Sequence, residues 1–267
     1  MARAPKTTSI ATYDEQLAAA AAQYASMEAS TATGDFFGLK SGVLTWGGNP
    51  VKNNEVACII LDSVLENIYY EGTFEADTPQ APMCFAYSRT EEELAPHETV
   101  VKAGQAQANM CSECQYNEWG SAHTGKGKAC RNTRRLALLP AGEFDRDGEF
   151  LPIEDAEQLF GGSVGFMKLP VTSVKNFANY VKQIGATFKR PPFAVFTKIS
   201  VEPDTKTQFK VVFEALGLLD NDFIPMAIDK HEEATGTIEF PYQLSSAEDE
   251  EAPAAKKKPA RKVSRKY

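Results

Sequence analysis

FAVFTKISVEPDTKTQFKVVFEA occupies residues 193–215. Phe193, Val195, Thr197, Ile199 and Val201 fall on one face of an extended segment, and Phe209, Val211, Phe213 and Ala215 fall on one face of a second. Between them Glu202 to Thr207, with Pro203-Asp204 inside, carries turn chemistry: proline presets a backbone angle, and an aspartate carboxylate accepts from the amides that follow it. A period of two among β-branched and aromatic residues is a strand signal. The stretch therefore predicts an antiparallel hairpin and a sheet-based fold.

Upstream the texture is similar. Gly42-Val43-Leu44-Thr45-Trp46 is a short apolar run punctuated by Gly38, Gly47 and Gly48. Val56 to Leu61 is a continuous β-branched run that reads as a buried strand; Val64 to Tyr70 continues it, although the same residues also fit helical spacing. Pro82 to Tyr87 and Leu136 to Leu139 read as further strands, and the acidic stretch from Thr90 to Gln107 as a loop. A helix is expected over 170–185, where Val174, Phe177, Ala178, Val181 and Ile184 share a face, Thr172 caps and Gly185 stops. Another is expected over 222–234, interrupted early by Pro225. Thr12 and Glu15 form a capping box ahead of an Ala-rich amphipathic helix over 13–27, after a loose leader at 1–11. Beyond Leu244 the chain is Ser, Ala, Glu, Pro and Lys, too polar to offset ordering entropy, so disorder is expected. The sum is an α+β protein built on a small antiparallel sheet or barrel. Its expected divisions are 1–33 (leader and helix), 34–244 (core, with a cysteine-rich insertion at 108–135) and 245–267 (tail).

The chain has 267 residues, a net charge of −8 and 43% hydrophobic residues, enough for a sizeable core. No run approaches the roughly 18–20 apolar residues of a membrane helix, so no membrane association is expected. The basic N-terminus lacks the apolar stretch of a secretory signal. Five cysteines without an export signal fit a reducing cytosol, where clustering points to metal. Charge is segregated. The tail from Ser246 carries +3, which leaves −11 on residues 1–245. An acidic body attracts a polyanion only through a local basic patch.

That patch coincides with the cysteines. Residues 111–135 read CSECQYNEWGSAHTGKGKACRNTRR. Cys111 and Cys114 have the spacing that aims two sulfurs at one ion, and Cys130 returns at a zinc-knuckle distance. A structural Zn²⁺ needs four ligands; Cys84, at the end of an expected strand, is taken as the fourth, with His123 and His97 left open. An iron–sulfur cluster would use the same thiolates. Cys58, inside an apolar run, is assigned to the core. Lys126, Lys128, Arg131, Arg134 and Arg135 place five cations within ten residues, and Tyr116 and Trp119 lie just upstream. Cations track phosphates and aromatic faces stack bases, so the mixture suits single-stranded nucleic acid. Trp46 is a further candidate platform.

Catalytic constellations are not apparent. There is no phosphate-binding GxxxxGK[ST] loop and no GxSxG elbow, and only three histidines occur. Asp145 to Glu149 has a faint calcium-loop character but reads as a turn. The expectation is a non-enzyme.

CxxCxxNxxGS from Cys111, followed by GKGKAC and Arg134-Arg135-Leu136, resembles a family of bacteriophage-encoded proteins found among replication genes. The ordering also resembles the T4-type helix-destabilising proteins. That resemblance implies an oligonucleotide-binding (OB-like) barrel, single-stranded DNA as ligand, structural zinc, and a tail that contacts replication proteins in the cytoplasm of an infected host. The tail departs from the acidic pattern, since Glu248 to Glu251 is followed by seven bases from Lys256 to Lys266. The expected function is single-stranded DNA binding in phage replication or recombination. The alternative is a protein-interaction factor that grips a polymerase or similar partner through the knuckle.

Overall fold

The structure, a computed structural model, describes residues 36–72, 81–123 and 125–242. The expected leader, the helix over 13–27 and the tail from 245 lie outside them. The strands are β1 (Phe36–Lys40), β2 (Val43–Trp46), β3 (Asn49–Pro50), β4 (Glu55–Tyr69), β5 (Cys84–Ser88), β6 (Arg131–Phe144), β7 (Phe150–Pro152), β8 (Gly165–Leu169), β9 (Val195–Asp204) and β10 (Gln208–Leu218). The helices are α1 (Glu98–Lys102), α2 (Ala156–Phe160), α3 (Val171–Phe188) and α4 (Ile224–Thr237). Among the described residues no helix is long and apolar enough to cross a membrane.

Two long strands form the spine. β4 and β6 pair antiparallel from Ala57↔Gly142 to Ile68↔Arg131. The other edge of β4 is divided: Glu55 to Ile59 takes β9, and Leu65 to Tyr69 takes β5. The other edge of β6 is divided between β8 and β7. β10 extends β9 as the expected hairpin, and its turn is held by Asp204, whose carboxylate accepts from the amides of Lys206 and Thr207. The β1–β8 pair is parallel.

The apolar run in β4 reflects burial on both faces. Cys58 and Ile60 join the core under Phe177, Tyr180 and Ile184 of α3, whereas Ile59 and Leu61 join the core that includes Ala227 and Ala234 of α4. A strand covered on both faces needs apolar residues at successive positions. Between Ile60 and Asp62 the register slips by one residue. Side chains entering the α4 core therefore switch from Ile59 and Leu61 to Val64 and Ile68. The resulting 61, 64, 68 spacing imitates a helix, which is why the periodicity of this segment was ambiguous.

The expected barrel does not form. The sheet runs β10-β9-β4-β6-β8-β1-β2-β3 and stays open. A barrel needs its two edge strands hydrogen-bonded in a fixed stagger. Here α3 fills the face shared by the two edge hairpins, and Phe37, Leu44, Val201 and Val211 bury themselves in one cluster with it. Phe209 of β10 comes within 3.5 Å of the Cβ position at Gly42, so the ends touch through a side chain rather than a ladder.

Several local expectations also shift. α3 is preceded by Pro170 rather than capped by Thr172, and it runs through Gly185 to a left-handed Lys189 (φ 56°). Pro225 sits in the first turn of α4, where its missing N–H costs nothing, so it starts the helix rather than interrupting it. The stretch read as a loop contains α1, capped by His97. Asp145 forms the turn between β6 and β7 by accepting from the amides of Asp147 and Glu149.

Candidate functional site

The four candidate cysteines come from three separate segments. Cys84 opens β5 opposite Tyr69 at the end of β4. Cys111 starts a one-turn 3-10 helix that Cys114 caps. Cys130 immediately precedes β6, and its amide donates to the Tyr116 carbonyl at 2.7 Å. All four border a single cavity of about 20 Å³, together with Asn67 and Tyr69. Cys84, Cys111 and Cys130 are buried and Cys114 is half-buried. Cys58 lies apart in the core beneath α3. His97 is occupied as a cap, its Nδ1 accepting from the Thr99 amide at 3.3 Å, and its ring stacks on Phe85. His123 is exposed on the loop. Neither histidine lines the cavity.

Among the described residues no three Cys, His, Asp or Glu side chains are gathered closely enough to hold a metal ion. The donor set nevertheless has the chemistry of a thiophilic cation site. Burial pushes the Cys130 thiol up to about 12, with the charges of Cys111, Cys114 and Cys84 adding to it. Burial likewise raises Cys111 to about 11, against a lowering contribution from the Asn67 side chain. Burial thus favours the neutral thiol at both positions. Asn67 is 4% exposed, and its Nδ2 is buried without a hydrogen-bond partner. A thiolate at Cys111 would supply the acceptor that this amide lacks.

Strand alternation breaks up the basic run. Successive residues of β6 point to opposite faces, so Arg134 and Arg135 part company. Arg135 is 3% exposed and ion-paired to Glu66, itself 0% exposed. It also donates to Tyr87 Oη at 2.7 Å and to the carbonyls of Ile238 and Phe240, and its guanidinium lies 3.8 Å from the Phe240 ring. From there it meets no phosphate in solution. Arg134 is half-buried; its Nη1 donates to Ser63 Oγ at 3.1 Å, and its Nε has no partner. Arg131 lies over the Tyr70 ring at 5.8 Å.

The loop itself is more open. Trp119 is 80% exposed, and Lys128 Nζ stands 5.9 Å from its ring. Lys126, two residues before Lys128 on the same loop, is exposed. Tyr116 stacks on Tyr69 at 4.1 Å against the core, which leaves one aromatic of the pair outward. Trp46 is half-buried, packed on Phe37 at 3.9 Å, with its ring where a Cβ at residue 165 would have to be. Gly165 is required by that close approach, and Trp46 belongs to the core rather than to a surface platform.

Sequence reasoning passed over Asn67, Asn117 and Asn132, which join the cysteine loop to the sheet, and Glu66, which holds Arg135. The available signal is the Glu66-Asn67 pair inside the otherwise apolar run from Val64 to Tyr70. Comparison with family models, with curated proteins and with solved structures returns no match for this chain.

Proposed function

We propose that the chain binds single-stranded DNA in phage replication or recombination and catalyses no reaction. The observation that carries this reading is the exposed Trp119 with the Lys128 ammonium near its ring, on a loop of a protein whose net charge is −8. An indole stacks a base while adjacent cations hold its phosphate. Lys126 adds to that edge, and Arg131 and Arg134 continue the positive potential onto β6. Cys84, Cys111, Cys114 and Cys130 would hold a structural Zn²⁺. Bound there, the ion supplies folding energy to the loop and stabilises thiolates that burial disfavours. An iron–sulfur cluster would use the same four donors. The resemblance of the CxxCxxNxxGS…GKGKAC segment to phage replication proteins supports the setting.

The test is a titration of a fluorescent oligo-dT 30-mer across a salt series, with metal content measured on the same preparation. The expected result is an affinity that falls linearly in log–log form with salt, and about one Zn²⁺ per chain. No affinity at low salt would overturn the reading. Retained metal without DNA affinity would favour a protein partner gripped through the same loop.

A further inference from the structure

A cleft of about 230 Å³ separates the cysteine loop from the sheet. Leu65, Leu94 and Val174 give it apolar walls, and Asn117, Asn132 and Lys128 give it polar ones. The polar groups are already ordered by one another. Asn132 uses both amide hydrogens, donating to Asn67 Oδ1 at 2.6 Å and to Asn117 Oδ1 at 2.9 Å. Lys128 Nζ also donates to Asn117 Oδ1 at 3.2 Å, leaving two ammonium hydrogens for another acceptor. Asn132 Oδ1 accepts from no donor among the described residues. The relay is anchored in the cysteine loop, because Asn117 Nδ2 donates to the Cys111 carbonyl at 2.7 Å.

Apolar walls with one preset amide edge complement a planar ring that carries donors and acceptors on its rim, which is what an unstacked nucleobase presents. A phosphate fits less well, since Glu91 also lines the cleft. We infer that this cleft seats one base of the bound strand, with its edge on Asn132 and its face against Leu65, Leu94 and Val174. The inference rests on the single-strand reading above and adds a second base site to the one on Trp119. Asn67 and Asn117 act as positioning residues that tie the cleft to the cysteine loop.

Titrations with an oligo-dT 30-mer and with an abasic strand of equal length separate the two ideas. Asn132→Ala removes the edge, and Val174→Trp fills the cleft from α3 without touching the relay; both are checked by thermal melting. Each variant should lose about tenfold in affinity for oligo-dT, the size of one base contact. Affinity for the abasic strand and the salt slope should stay unchanged. If Asn132→Ala fails to fold, Val174→Trp alone decides. A Val174→Trp protein that binds both strands as the wild type does, while Trp119→Ala still loses oligo-dT, would overturn the cleft and leave the general reading intact. A wild type that binds neither strand would overturn both.

Discussion

Arg135→Met is the perturbation whose outcome the structure specifies most closely. The guanidinium is 3% exposed and its partner Glu66 is 0% exposed. Methionine keeps the length of the side chain but removes the guanidinium from the carboxylate, which keeps the Tyr242 hydroxyl at 2.7 Å, the Thr133 hydroxyl at 3.1 Å and Lys168 Nζ at 3.9 Å. The carbonyls of Ile238 and Phe240 lose a donor as well. Breaking one side of a buried ion pair costs about 3–5 kcal/mol. In a domain of this size each kcal/mol moves the melting temperature by about 2–4 °C, so a fall of about 6–20 °C is expected in a thermal scan at pH 7. Pairing the change with Glu66→Leu should recover most of the loss, because two well-packed apolar side chains can replace a buried pair. An Arg135→Met protein that melts with the wild type but has lost affinity for oligo-dT would refute the reasoning and return Arg135 to the binding surface.

Arg134→Glu, on the opposite face, is expected to weaken oligo-dT binding and reduce the salt slope by about one, since a single phosphate contact goes; fluorescence titration reads both. Trp119→Ala should cost about 1–3 kcal/mol of binding, the value of one stacked base, and leave the melting temperature unchanged because the ring is 80% exposed. Chelation, or Cys84→Ser, should lower the melting temperature, and Zn²⁺ in excess over its dissociation constant should restore the chelated protein but not the variant. The sign with pH follows from the Cys130 thiol, raised from an ordinary 9.0 to about 12, and from Cys111, raised to about 11. Burial of the neutral thiols stabilises the metal-free fold below pH 9, and that contribution is lost as pH rises towards 11–12. Urea midpoints of the chelated protein should therefore fall across this window, and flat midpoints would contradict the burial.

Much of the local structure was legible because it depends on near neighbours in the chain. The alternation in residues 195–215 predicts β9, β10 and their Asp204 turn, and the apolar stripe from Val174 to Ile184 predicts α3. The CxxC spacing draws Cys111, Cys114 and Cys130 together on paper, and all three border one cavity with Cys84. Boundaries were less legible. The one-residue slip after Ile60 disguised half of β4 as a helix, and a proline and a glycine read as breakers proved to be a helix start and a helix interior.

What the chain alone determines is the β9–β10 hairpin, the apolar strand runs of the core, the helix α3, the acidic body and the clustering of thiols with cations, since these follow from spacing and composition. Tertiary structure decides the rest. The helix α3 between the edge hairpins keeps the sheet open, the pleat sends Arg134 and Arg135 to opposite faces, and the pairing of Asn67 with Asn132 across 65 residues builds the relay. Period and propensity are properties of a segment. Which edge pairs, and which face is covered, depend on surfaces supplied from distant parts of the chain, and burial on those surfaces makes an arginine a core residue or leaves a tryptophan outside.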